Sequence, residues 1–150
     1  TVLKGTLGIS TAMIAAGAGF LSPQSVLAAW PRSAFTAQNI EDAVRNSMGS
    51  SSMSEDRTSI IIKAPVIAEN GASVGITVSS TLPKVDSLSI LVKKNPSPLA
   101  GNFVLNGANA FIRTRIKVSK SSEVIVVARS NGKLYTAKHV VKVTIGGCGG

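Results

Sequence analysis

The only cysteine in the chain, Cys148, stands between two glycine pairs in Gly146-Gly147-Cys148-Gly149-Gly150. A thiol can hold another sulfur atom covalently and release it again, and its thiolate is the reacting species. Glycines leave the backbone free to take conformations closed to other residues, with no β-carbon beside the sulfur to obstruct an approaching pocket wall. The pattern reads as a reactive group on a flexible arm, offered to another molecule's site. Nothing local activates it: no cation or helix terminus adjoins it, and the carboxylate expected two residues on disfavours the thiolate. Its reactivity would have to come from whichever pocket the arm enters. Two blander readings stay open, an incidental thiol near a chain end and a cysteine used for covalent dimerisation.

The rest of the chain offers little chemistry of its own. The single histidine, His139, shares a strand face with Val141 and Val143, where an imidazole is more often a satisfied core or interface group than a base. Nine residues separate it from Cys148, up to roughly 30 Å if extended, so a Cys–His pair would need the tail to fold back. One cysteine, one histidine and seven scattered acids make no metal-ligand set. The paired glycines precede no helix, so they form no phosphate-binding loop. No catalytic residue and no cofactor is expected.

The formal net charge is +9, and removing residues 1–28 takes away Lys4 and no acid, leaving +8. Such a balance can attract nucleic acid, anionic lipid or a small anion. The cations, however, are spread over several expected strands as Lys63, Lys84, Lys93, Lys94, Arg113, Arg115, Lys117, Lys138 and Lys142. Nucleic-acid binding would need interleaved aromatics or a basic helix, and aromatic content is only 4%.

Residues 1–28 read as an export signal. Lys4 leads a small-residue apolar run from Leu7 to Leu21, and Val26-Leu27-Ala28 precedes Ala29 in the pattern that signal peptidase cuts. The run is broken by Gly8, Gly17 and Gly19 and is weaker than a spanning helix needs. Thr1-Val2-Leu3-Lys4 fits the positions just after the arginine pair of a twin-arginine signal, so those arginines are expected ahead of Thr1. An uncleaved anchor is the alternative. An exported domain with one cysteine has no internal disulfide open to it, which leaves the thiol free, loaded or joined to another chain.

In the mature chain, Trp30 to Phe35 reads as a loose lead-in. A helix is expected from Thr36 as cap, with Glu41 and Asp42 in its early turns, Ile40, Ala43, Val44 and Met48 at helical spacing, and Gly49 as its stop. Ser50 to Thr58 reads as a polar loop. Seven strands come after it. Ser59–Ala68 carries Pro65, which implies an edge or a switch between sheets. Asn70-Gly71 marks a turn in which both residues tolerate positive φ. Next come Ser73–Ser79, Ser87–Lys94 with Ser87 and Ser89 outward, Phe103–Leu105 and Ala108–Val118 with Phe111, Arg113 and Arg115 on one face. Ser122–Arg129 is apolar on both faces and so central or covered, and Asn131-Gly132 turns into Lys133–Ile145. The class is all-β: an immunoglobulin-like two-sheet sandwich domain over residues 29–145 that begins with a short helix, followed by a flexible arm, 146–150. The apolar strand Ser122–Arg129 or the helix is expected to contribute to a heterodimer surface.

The stretch Lys142-Val143-Thr144-Ile145-Gly146-Gly147-Cys148-Gly149-Gly150 resembles the terminal signature of the SoxY family, sulfur-carrier subunits of periplasmic thiosulfate oxidation. Ala64-Pro65-Val66-Ile67-Ala68-Glu69-Asn70-Gly71-Ala72-Ser73-Val74, Lys94-Asn95-Pro96-Ser97-Pro98 and Thr114-Arg115-Ile116-Lys117 are similar to family motifs in the same order. Departures are a more polar Lys117–Ser121 and Gly75 where a proline is common. The resemblance implies that Cys148 is the covalent attachment point for sulfur and that Gly146, Gly147, Gly149 and Gly150 form its flexible arm. It also implies a periplasmic location, a SoxZ-like subunit as heterodimer partner, and transient visits to SoxAX, SoxB and a molybdenum enzyme, SoxCD, where present. Haem, manganese and molybdenum would belong to those partners. The competing class is an exported, non-enzymatic sandwich module whose terminal cysteine forms an intermolecular disulfide.

Overall fold

The computed structural model describes residues 31–144, so the expected export segment and the Gly146–Gly150 arm lie outside the described residues. Within them, two helices precede nine strands: α1 (Arg32–Thr36), α2 (Ile40–Met48), β1 (Met53–Glu55), β2 (Ile60–Lys63), β3 (Ile67–Ala68), β4 (Val74–Ser80), β5 (Val85–Val92), β6 (Leu99–Val104), β7 (Phe111–Ile116), β8 (Ser122–Ser130) and β9 (Lys133–Val143). They form a two-sheet sandwich of immunoglobulin-like type. The larger sheet runs β1-β9-β8-β5-β6, with β3 also on β9, and the smaller runs β2-β4-β7.

Alternation builds the space between the sheets. Val74, Ile76 and Val78 of β4 face Leu88, Ile90 and Val92 of β5 and Val124, Val126 and Ala128 of β8, all buried in one cluster. Each such Val, Leu or Ile side chain contributes about 1.5–3 kcal/mol by leaving water. The larger sheet is buried on its other face too. Leu91, Ile125, Val127 and Leu134 pack under Ala34, Ala43, Val44 and Met48 of the helices. This explains the doubly apolar β8, central between β5 and β9. Its second face is covered by the chain's own helices, so β8 does not supply the expected heterodimer surface.

The helical cover also corrects the reading of β5. Ser87 and Ser89 were expected outward, yet they are 3% and 0% exposed. Ser87 Oγ points at Met48 Sδ, and Ser89 Oγ donates to Asn102 Oδ1 at 2.9 Å. In α2 the cap is Asn39 rather than Thr36. Asn39 Oδ1 accepts from the Asp42 amide at 2.8 Å, while the Thr36 hydroxyl donates back to Arg32 O inside α1. The lead-in is thus a short helix. Gly49 does stop α2, in the left-handed conformation at φ 81°.

One edge of β9 is shared by two short parallel strands. β1 pairs with Leu134–Thr136 and β3 with Lys142–Val143. The expected loop Ser50–Thr58 therefore contains a strand. Between its two visits to β9 the chain leaves for the smaller sheet as β2. It departs at Asp56, whose Oδ1 accepts the amides of Thr58 and Ser59, and returns after Pro65. The sheet switch expected at that proline is observed. Asn131 and Gly132 turn β8 into β9 with φ of 49° and 75°.

Candidate functional site

Cys148 and its four glycines lie outside the described residues; what can be built is the root from which they issue. β9 carries the chain there, and its last residues are held from both sides. On one side the Lys142 amide donates to Val66 O at 2.7 Å and the Thr144 amide to Ala68 O at 3.1 Å. On the other, β8 pairs with β9 only from Ser122 opposite Val141 onward. The Ser121 hydroxyl takes over, accepting from the Val143 amide at 2.9 Å. The chain is fixed on both flanks up to Thr144.

Gly71 supports this root from below. A β-carbon there would lie 2.9 Å from Val143 Cγ1 and closer still to the Val118 carbonyl oxygen. Gly71 O in turn accepts the Val118 amide at 2.7 Å. Its φ is not left-handed, so the turn at Asn70-Gly71 needs glycine for close approach rather than for positive φ. Asn95 clamps the same end: Nδ2 donates to Lys117 O at 2.8 Å and Oδ1 accepts from the Ser119 amide at 2.9 Å. Ser121 and Asn95 could not be picked out as supports from sequence, because their partners are backbone groups more than twenty residues away.

The surroundings of the root are basic with exposed apolar spots. Val66, Ile67 and Val140 are 58%, 61% and 51% exposed. An open hollow there is lined by Lys93, Lys94, Ser121, Ser122, Glu123, Val140 and Lys142. Glu123 is its one acid, paired with Lys93 at 3.1 Å. The hydrogen bond and charge of Lys93, aided by Lys138, hold the Glu123 carboxyl below the usual carboxylate range.

His139 sits in the middle of β9, opposite Val124, half-buried beside β2, with Arg57 and Lys138 nearby. Its Nε2 is buried without a hydrogen-bond partner among the described residues, so this chain alone does not satisfy the imidazole. No group of three or more His, Cys, Asp or Glu among the described residues could hold a metal ion. Nor is any described helix long and apolar enough to cross a membrane.

Comparison with known proteins agrees with this architecture. A comparison with curated protein sequences gives no significant match. Among solved structures, the sulfur carrier protein SoxY from Chlorobium limicola f thiosulfatophilum is 41% identical, with a TM-score of 0.62. The match covers 69% of this chain and 94% of that one. The family model described as sulfur oxidation protein SoxY matches residues 44–148, from within α2 through Cys148 itself. The chain belongs to the SoxY family.

Proposed function

We propose that this protein is a sulfur carrier that holds sulfur intermediates covalently on Cys148 and presents them to successive enzymes of thiosulfate oxidation in the periplasm. The observation that carries the reading is the family match that runs to the glycine-flanked cysteine. The geometry supports it. The chain is clamped as far as Thr144, and the four residues from there to Cys148 can reach at most about 14 Å. A short tether of this kind confines the thiol near the root while the body is recognised. The carrier is the substrate of its enzymes rather than a catalyst.

In loading, a bond forms between Cys148 Sγ and the outer sulfur of thiosulfate; the thiol proton and two electrons leave, the electrons passing to the loading enzyme. Hydrolysis then releases the terminal sulfonate as sulfate and leaves a persulfide. SoxAX and SoxB are the partners proposed for these steps, with a SoxZ-like subunit bound throughout and SoxCD where present. Residues 1–28 are proposed to direct export by the twin-arginine route.

Intact-mass measurement after incubation with thiosulfate and the partner enzymes tests the reading. Sulfur-containing additions at Cys148 that a reductant removes are expected, and Cys148→Ser should abolish turnover while leaving partner binding intact. Finding only a disulfide-linked homodimer under those conditions would sink the carrier reading.

A further inference from the structure

The outer face of the smaller sheet takes no part in the hydrogen bonds that hold Lys142, Val143 and Thr144, yet its composition is distinctive. Register places Ile61, Ser79 and Phe111 in one row across β2, β4 and β7, and Lys63, Thr77 and Arg113 in the next. Arg115 comes after them, opposite Gly75. The face thus carries three cations and two large apolar side chains, Ile61 at 44% and Phe111 at 57% exposure. All seven acids lie elsewhere, at Glu41, Asp42, Glu55, Asp56, Glu69, Asp86 and Glu123. Neither Lys63 nor Arg113 has an ion-pair partner among the described residues. Arg115 is held in place instead, with Nη1 donating to Ser73 Oγ at 3.1 Å.

Beside the arginines, at Gly75 opposite Arg115, lies a seat. A β-carbon at Gly75 would meet no atom within 4 Å, so the strand surface there is bare. Gly75, Thr77, Arg113 and Arg115 line the resulting open hollow. It suits a carboxylate side chain received between two guanidinium groups, which bind carboxylates bidentately. Exposed Phe beside Arg is the composition found at the centre of protein interfaces. By contrast, the lysines around the root surround Glu123 and are compact charges on flexible stems.

We propose that this face is the docking surface for an acidic protein that takes up the arm. A partner carboxylate enters the hollow at Gly75, and Ile61 and Phe111 are the apolar anchors. A second copy of this chain is a poor occupant, since it carries the same positive net charge, +8 without residues 1–28. Position adds the link to the arm. Arg115 and Ser73 lie at the end of the sheet where Gly71 packs under Val143, so a protein seated there borders the root. The identity of the occupant rests on the carrier reading; the acid-binding character of the face does not.

Two measurements test it on the full chain. The first is an NMR titration with a hexaglutamate peptide, which involves no chemistry at Cys148. Shifts are expected at Lys63, Gly75, Thr77, Arg113 and Arg115, and should vanish in Arg113→Glu/Arg115→Glu. Shifts centred on Lys93, Lys94, Lys138 and Lys142, or none, would overturn the proposal. The second is the rate of Cys148 loading by the thiosulfate-joining enzyme at low salt. The double variant should lose about tenfold in kcat/KM, and Gly75→Val, which fills the hollow without changing charge, should lose at least about threefold at every salt concentration. Iodoacetamide should alkylate Cys148 at the wild-type rate in both variants. Loading of both at the wild-type rate would remove the face from docking while leaving the carrier reading intact. Absence of loading in the wild type would count against the carrier reading, and the titration would still decide the face.

Discussion

Replacing Gly71 by alanine is the sharpest probe of how the root of the arm is held. The added carbon would sit 2.9 Å from Val143 Cγ1 and well inside 3.0 Å of the Val118 carbonyl oxygen, so backbone must move. Overpacking of this kind costs about 1–3 kcal/mol. Straining the Val118–Gly71 hydrogen bond of 2.7 Å removes about 1 kcal/mol more. Loss of glycine's freedom in the unfolded chain returns about 0.4–1 kcal/mol. The net destabilisation is about 2 kcal/mol, or a fall in Tm of roughly 8 °C for a domain of this size. Thermal and urea unfolding followed by circular dichroism measure it, with hydrogen exchange at the Val143 amide reporting the local loosening. Gly75→Ala is the control, because its β-carbon meets nothing, and it should be neutral or stabilising by up to about 1 kcal/mol. If Gly71→Ala is as stable as the wild type, or the two variants fall equally, the packing argument is wrong.

Ser121→Ala should leave the Val143 amide without its acceptor and speed its hydrogen exchange by about tenfold, with little change in global stability; an unchanged rate there means the hydroxyl does not hold the root. Asn39→Ala should cost about 1 kcal/mol by removing the cap of α2, read as a Tm shift of roughly 4 °C. Asp56 gives a pH signature. Hydrogen bonds from Ser59 and Thr58 depress its folded pKa below 3.8, so its contribution is present above that value and lost as pH falls through the folded one. The stability gap between wild type and Asp56→Ala should therefore narrow in urea titrations as pH falls from 6 to 2, and a gap independent of pH contradicts this assignment.

Short-range signals carried most of the architecture. Val74, Ile76 and Val78 alternate into the core as read, Pro65 marks the crossing between sheets, and Asn131-Gly132 forms its hairpin. The features that sequence did not disclose depend on distant partners. Ser87 and Ser89 look like solvent-facing positions until Met48 of α2 meets Ser87 and Asn102 of β6 meets Ser89. β1 hides because its three residues, Met53, Ser54 and Glu55, have no strand pattern of their own and pair only with the edge of β9. Thr36 and Asn39 are both good caps three residues apart, and packing under the larger sheet decides between them. For the candidate site, the glycine neighbours of Cys148 are what the sequence offers in support of its proposed role, whereas Ser121 and Asn95 act on backbone groups that only folding brings near.

The sharing of one β9 edge by β1 and β3 has a mechanical consequence. In the proposed carrier role, an enzyme that draws in the chain beyond Thr144 would pull on the domain. A pull along the axis of β9 loads the β8 ladder and both parallel contacts in shear, so many hydrogen bonds bear tension together. A sideways pull would instead peel them singly, Thr144 from Ala68 first and Lys142 from Val66 after it. The end of β9 is strongest against a force that runs in line with the strand, so under the proposed carrier role a partner would draw the chain along the axis of β9.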